Sequence, residues 1–144
     1  MEQIPILAPA AVLVLWSLVV LLWVTATRFP AFAKAGITMG EAPPGSRYAD
    51  VESRLPAKVN WKSHNYTHLM EQPTIFYAMA IALAIAGFGG GLNLTLAWIY
   101  VASRVLHSIV QSTFNKVLVR FSLFMIGSIA LAVMAINGAL QLMG

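Results

Sequence analysis

Residues 61–76, WKSHNYTHLMEQPTIF, join a polar segment to an apolar one. His64, His68 and Glu71 stand at i, i+4 and i+7, the spacing of one face of an α-helix. Directly after them the chain turns apolar, from Ile75 to Ile85, so that face runs on into a membrane span. An ionisable side chain at such depth is costly and needs a partner. What Glu71 and the two histidines face therefore bears on both fold and function.

The composition agrees with a membrane reading. The chain has 144 residues, of which 59% are hydrophobic and 10% charged. A soluble domain of this size is about one-quarter charged. The length suits one domain, residues 1–144. There is no cysteine, so disulfides, protein thiolate nucleophiles and cysteine-bound metals are excluded. A net charge of +4 in this setting points to basic loops facing the cytoplasm and anionic lipid, not to nucleic acid.

Four apolar runs predict an all-α integral membrane protein, a bundle of four transmembrane helices. The spans are expected at about 6–27, 64–86, 92–111 and 117–142. The first has no basic segment before it and is long enough to cross, so it reads as a retained helix and not a signal peptide. Pro73 is expected to kink the second span just past Glu71. Residues 28–62 form a long connection, with Pro43, Pro44, Gly45 and Pro56 as breakers. It carries six of the nine Lys and Arg: Arg28, Lys34, Arg47, Arg54, Lys58 and Lys62. The five after Arg28 read most simply as a solvated, lipid-facing loop. The other three are Arg104, Lys116 and Arg120, around the second basic connection. The positive-inside rule then puts both termini on the non-cytoplasmic side. The brevity of the termini suits a bacterial inner membrane.

In this topology one layer collects the strongly polar helix positions: Arg28, His64, His68, Glu71, Arg104, His107, Gln111 and Arg120. Arg104, His107 and Gln111 again share a helix face, at i, i+3 and i+7. Glu71 and Arg104 fall at matching depth on antiparallel neighbours and are expected to form an ion pair. Glu71 would in addition be placed to take an ammonium or thiol group. Arg120, in the first turn of the last span, has two readings. It snorkels to lipid phosphates, or it presents its guanidinium to a carboxylate or thiolate within the layer. His64, His68 and His107 have spacing that could ligate a metal with Glu71, but the signal is short and no metal site is expected.

These residues resemble the MAPEG family, the membrane-associated proteins of eicosanoid and glutathione metabolism. The family pattern Arg-x3-Asn-x2-Glu, followed by Pro and Phe, is met by His64, His68, Glu71, Pro73 and Phe76. The pattern Arg-x2-His-x3-Tyr, followed by Arg, is met by Arg104, His107, Gln111 and Arg120. The resemblance covers nearly the whole chain, including the long basic first loop. It implies a homotrimer, with glutathione as co-substrate bound between subunits near the cytoplasmic side. It also implies that Arg120 stabilises the glutathione thiolate and that a lipophilic electrophile or lipid hydroperoxide arrives from the bilayer. Arg28, His64, His68, Glu71, Arg104, His107 and Gln111 would form the rest of the site. Three of these depart from the family residues: His64 for arginine, His68 for asparagine and Gln111 for tyrosine. A transferase or peroxidase and a non-catalytic trimer that binds a lipid or small amphiphile in the same cleft both follow from the pattern.

Overall fold

A computed structural model describes residues 4–144. The first three residues, part of the N-terminus used in the orientation argument, lie outside it. Helix α1 (Leu7–Lys34) runs two turns further than the expected first span and takes in Arg28. Its buried positions Pro9, Leu13, Ser17, Val20 and Val24 follow helical spacing. Leu15 and Leu22 point the other way and are exposed. Its hydroxyls are satisfied within the helix: Ser17 Oγ donates to the Leu13 carbonyl and Thr27 Oγ1 to that of Trp23. Internal satisfaction is what an apolar surrounding demands.

The first connection is ordered. It contains a 3-10 turn (Met39–Glu41), the short helix α2 (Tyr48–Val51) and a second 3-10 turn (Glu52–Arg54). Of its five basic residues after Arg28, Lys34, Arg47, Arg54 and Lys58 are exposed, as a solvated loop implies, and Lys62 is not. The Arg54 guanidinium donates to the Ala35 carbonyl at 2.9 Å. Lys62 is buried, donates to the Lys58 carbonyl at 2.8 Å and lies over the Trp23 ring. The reason is that Lys62 belongs to helix α3 (Ala57–Leu69), which packs on α1, and not to the loop proper.

The expected second span is broken. Helix α3 ends at Leu69 and α4 (Gln72–Ile85) begins three residues later. Met70 and Glu71 lie between them, and Glu71 has left the helical region with φ −88° and ψ −97°. The interruption falls at Glu71 itself, not just past it. Pro73 accounts for it physically: it has no N–H for the Leu69 carbonyl, and its ring would collide with that carbonyl in a continuous helix. At the second position of α4 the missing donor costs nothing.

Helices α5 (Gly91–Thr113) and α6 (Val117–Met143) complete the chain and form its closest pair. Gly127 of α6 lies against Ser103 and Tyr100 of α5, where a Cβ would collide with the Ser103 hydroxyl. The core joins Leu13 and Val20 of α1, Phe76 and Leu83 of α4, Tyr100 of α5 and Met134 of α6. The Phe76 and Tyr100 rings stack at 4.5 Å. Away from the polar layer, Asn93 donates to Gln141 Oε1 and accepts from Asn137, tying the start of α5 to the end of α6. Large apolar side chains cover the outside, and α1 and α6 are each long and apolar enough to cross a membrane.

Candidate functional site

Three elements meet around the break between α3 and α4. Buried Asn65 of α3 donates to Ser108 Oγ at 2.6 Å and to Ser112 Oγ at 3.0 Å, both on α5. This polar zip fixes α3 against α5. One turn further along, Arg104 of α5 reaches beneath His68 and is fully buried. Its Nη2 donates to the His68 carbonyl at 3.1 Å, and its Nη1 lies 3.3 Å from His68 Nε2. In an unbroken helix the His68 carbonyl would accept from residue 72. Here the last turn of α3 is capped by the guanidinium, a cation at the negative end of a helix.

The expected Glu71–Arg104 ion pair is therefore not formed directly. His68 stands between them, with Nδ1 2.8 Å from Glu71 Oε2. A guanidinium has only donors, so Nε2 must be the accepting nitrogen. The ring proton is thereby placed on Nδ1, where it donates to Glu71. The order is carboxylate, imidazole, guanidinium. The pair is relayed because the helix break turns Glu71 outward, leaving its side chain 61% exposed.

Beside this relay lies a cavity of about 490 Å³. Six of the eight residues chosen from the sequence line it: His64, His68, Glu71, His107, Gln111 and Arg120. Arg104 lies under its floor through His68. Arg28 is elsewhere: it donates to Ser63 Oγ at 2.7 Å and stacks over Tyr48 at 4.0 Å. It pins the first connection instead of facing the cavity. His64 faces the rim, where its Nε2 meets Glu52 of the same connection. Arg120 is steadied by Asn115 Oδ1, which accepts from Nη1 at 2.9 Å. Asn115 occupies the left-handed region, φ 49°, in the tight turn between α5 and α6.

One wall is apolar, made by Val117, Phe121 and Phe124 of α6. The Phe124 ring lies 5.5 Å from that of His68 and 6.4 Å from that of His107. Gln111 is buried, lines the cavity, and its Oε1 has no protein partner. The pocket thus has a carboxylate at one side, a guanidinium at another, an unused amide between helices and an aromatic wall. It suits a polar molecule carrying both charges next to an apolar one. Among the described residues no three of His, Asp and Glu gather as a metal-binding group.

The sequence reading missed Asn65, Ser108 and Ser112, Asn115, and the wall of Phe121 and Phe124. Ser108 and Ser112 follow Arg104 at i+4 and i+8, so the α5 face already singled out contained them. Phe121 and Phe124 flank Arg120 on α6 but look like any lipid-facing phenylalanine in a span.

The model of the MAPEG family matches residues 6–140, nearly the whole chain. The chain belongs to the MAPEG family. Comparison with curated proteins and with solved structures gives no match. MAPEG membership, with the apolar helices α1 and α6, makes it an integral membrane protein. In this MAPEG protein the cavity joins residues of both resembling motifs.

Proposed function

We propose that this MAPEG protein is a glutathione transferase or peroxidase acting on a lipophilic electrophile or lipid hydroperoxide. The observation that carries the reading is the convergence of Glu71, His107, Gln111 and Arg120 on one cavity beside Phe121 and Phe124. The polypeptide would cross the membrane four times, with α3 and α4 together as the second crossing. It would act as a homotrimer with both termini on the non-cytoplasmic side.

The side chains present fit part of glutathione. Glu71 keeps one carboxylate oxygen for the ammonium, since Oε2 is on His68. Arg120 offers guanidinium donors to the thiolate, lowering the thiol pKa and raising the nucleophile's population. In transfer, the sulfur bonds to the electrophilic carbon while the leaving group departs with its electron pair. In peroxide reduction, two thiols become a disulfide and the hydroperoxide becomes an alcohol and water. The volume lies within the roughly 300–1,000 Å³ common for small-molecule sites. For the two glutathione carboxylates this chain supplies His64 and the remainder of the Arg120 fork, with Arg28 turned away.

The rival reading is a trimer that binds a lipid or small amphiphile without catalysis. It is favoured by His68, whose two ring nitrogens are both engaged within the protein. Calorimetry of glutathione binding to the purified protein in detergent, with ultraviolet thiolate absorbance read in parallel, separates the two. The enzyme reading expects binding and a thiolate signal that vanishes in Arg120→Ala. No binding at millimolar glutathione by folded protein would overturn it.

A further inference from the structure

A second cavity, of about 440 Å³, lies at the other side of the first connection. Its walls are Ala26, Pro30 and Ala31 of α1 with Pro56 and Val59, and two cations, Lys34 and Arg54, stand at its edge. Neither cation has a carboxylate partner among the described residues. Arg54 is held in place by one nitrogen on the Ala35 carbonyl, which leaves the rest of its fork free.

The position of this cavity along α1 follows from length. Helix α1 has 28 residues, which at 1.5 Å each gives about 42 Å. The hydrocarbon core is about 30 Å thick. Twenty residues from Leu7 cross it and reach Ala26, the first residue of the cavity. The last two turns, with Pro30 and Lys34, therefore rise through the headgroup layer. Apolar wall at the core boundary and paired cations one headgroup further out match an amphiphile with an anionic head. A phosphate diester accepts from a lysine and from a guanidinium fork together.

We infer that this cavity is a binding site for an anionic phospholipid, the phosphate held by Lys34 and Arg54 and the glycerol and first acyl carbons against Ala26, Pro30 and Ala31. The site stands apart from the cavity at Arg120 and does not depend on glutathione chemistry. The full-length protein in a neutral detergent provides the test, with native mass spectrometry counting bound lipid. Phosphatidylglycerol should bind at least about tenfold tighter than phosphatidylcholine of the same chains, since the guanidinium and ammonium meet an uncompensated phosphate only in the former. Inorganic phosphate, which has the charge without the chains, should not displace it. Lys34→Ala together with Arg54→Ala should abolish the preference. Because Arg54 also caps the end of α1, Lys34→Ala is measured alone. Lys34 makes no side-chain hydrogen bond, and its removal should cut the preference about threefold without changing Tm. Equal binding of the two lipids, an undiminished preference in folded Lys34→Ala, or displacement by phosphate alone would overturn the site.

Discussion

Arg104 is a fully buried cation whose hydrogen bonds go to a peptide carbonyl and an imidazole. Replacing it with leucine would leave the His68 carbonyl without its strong donor and Glu71 without the far end of its relay. A buried polar group that loses its partner costs about 1–3 kcal/mol. Arg104→Leu should therefore lower Tm in detergent clearly, and Arg104→Lys should not restore it, since an ammonium cannot fork to both acceptors. An unchanged Tm in Arg104→Leu would refute the capping role. At Gln111 and its neighbours the expected change is in affinity. The triple variant His64→Arg, His68→Asn and Gln111→Tyr should bind glutathione more tightly than wild type by calorimetry. The gain should come mainly from the first and third changes, because His68→Asn also cuts the relay. The sequence pointed to each of these side chains through helical spacing. It did not reveal who bonds to whom, because spacing gives the face a residue occupies and not the direction of a broken backbone. Glu71 and Arg104 match in depth, yet Glu71 turns outward once the helix ends.

The break between α3 and α4 shows how one residue sets the form of an element. Pro73 removes the donor for the Leu69 carbonyl, and Arg104 of α5 donates to the neighbouring His68 carbonyl, which the break leaves without the N–H of residue 72. If both maintain the interruption, their substitutions will not add. Pro73→Ala should recover part of the stability lost in Arg104→Leu, because a restored N–H allows α3 to continue into α4. A coupling of about 0.5–3 kcal/mol is usual for groups in direct contact, and additive Tm changes would show that the two act separately. The α5–α6 pair gives a second test. Gly127→Ala gains about 1 kcal/mol of helix propensity, but its new methyl group meets the Ser103 hydroxyl. Overpacking commonly costs about 1–3 kcal/mol, so the variant should melt lower and Ser103→Ala should rescue it. A more stable Gly127→Ala protein would mean that the helices separate freely. Pro73 was readable as a breaker in advance, within two residues of where the break falls. The Gly127 contact was not, because a glycine in an apolar run carries no sign of which helix will approach it.

For the whole molecule, a bundle of apolar helices and a long basic first connection are legible in composition and charge placement. The connection was harder to read, since Tyr48, Asn60 and Arg28 find each other across distances that local pattern does not report. The natural absence of cysteine makes orientation testable without background. A single cysteine at Gly144 should react with a membrane-impermeant maleimide from the non-cytoplasmic side, and one at Ser53 only after the membrane is opened. The reverse pattern would invert the topology. The break also bears on how the chain enters the membrane during synthesis. Helix α4 has 14 residues, about 21 Å at 1.5 Å each, too short to cross by itself. Helix α5 carries Arg104, a charge that costs about 2.5–3.5 kcal/mol at mid-membrane on insertion scales. Among the described helices only α1 and α6 are both long and apolar enough to cross unaided. In the proposed four-span arrangement the two middle crossings would enter as a hairpin, with the Arg104–His68 contact already made. Insertion and tertiary folding would then be a single step for that half of the chain.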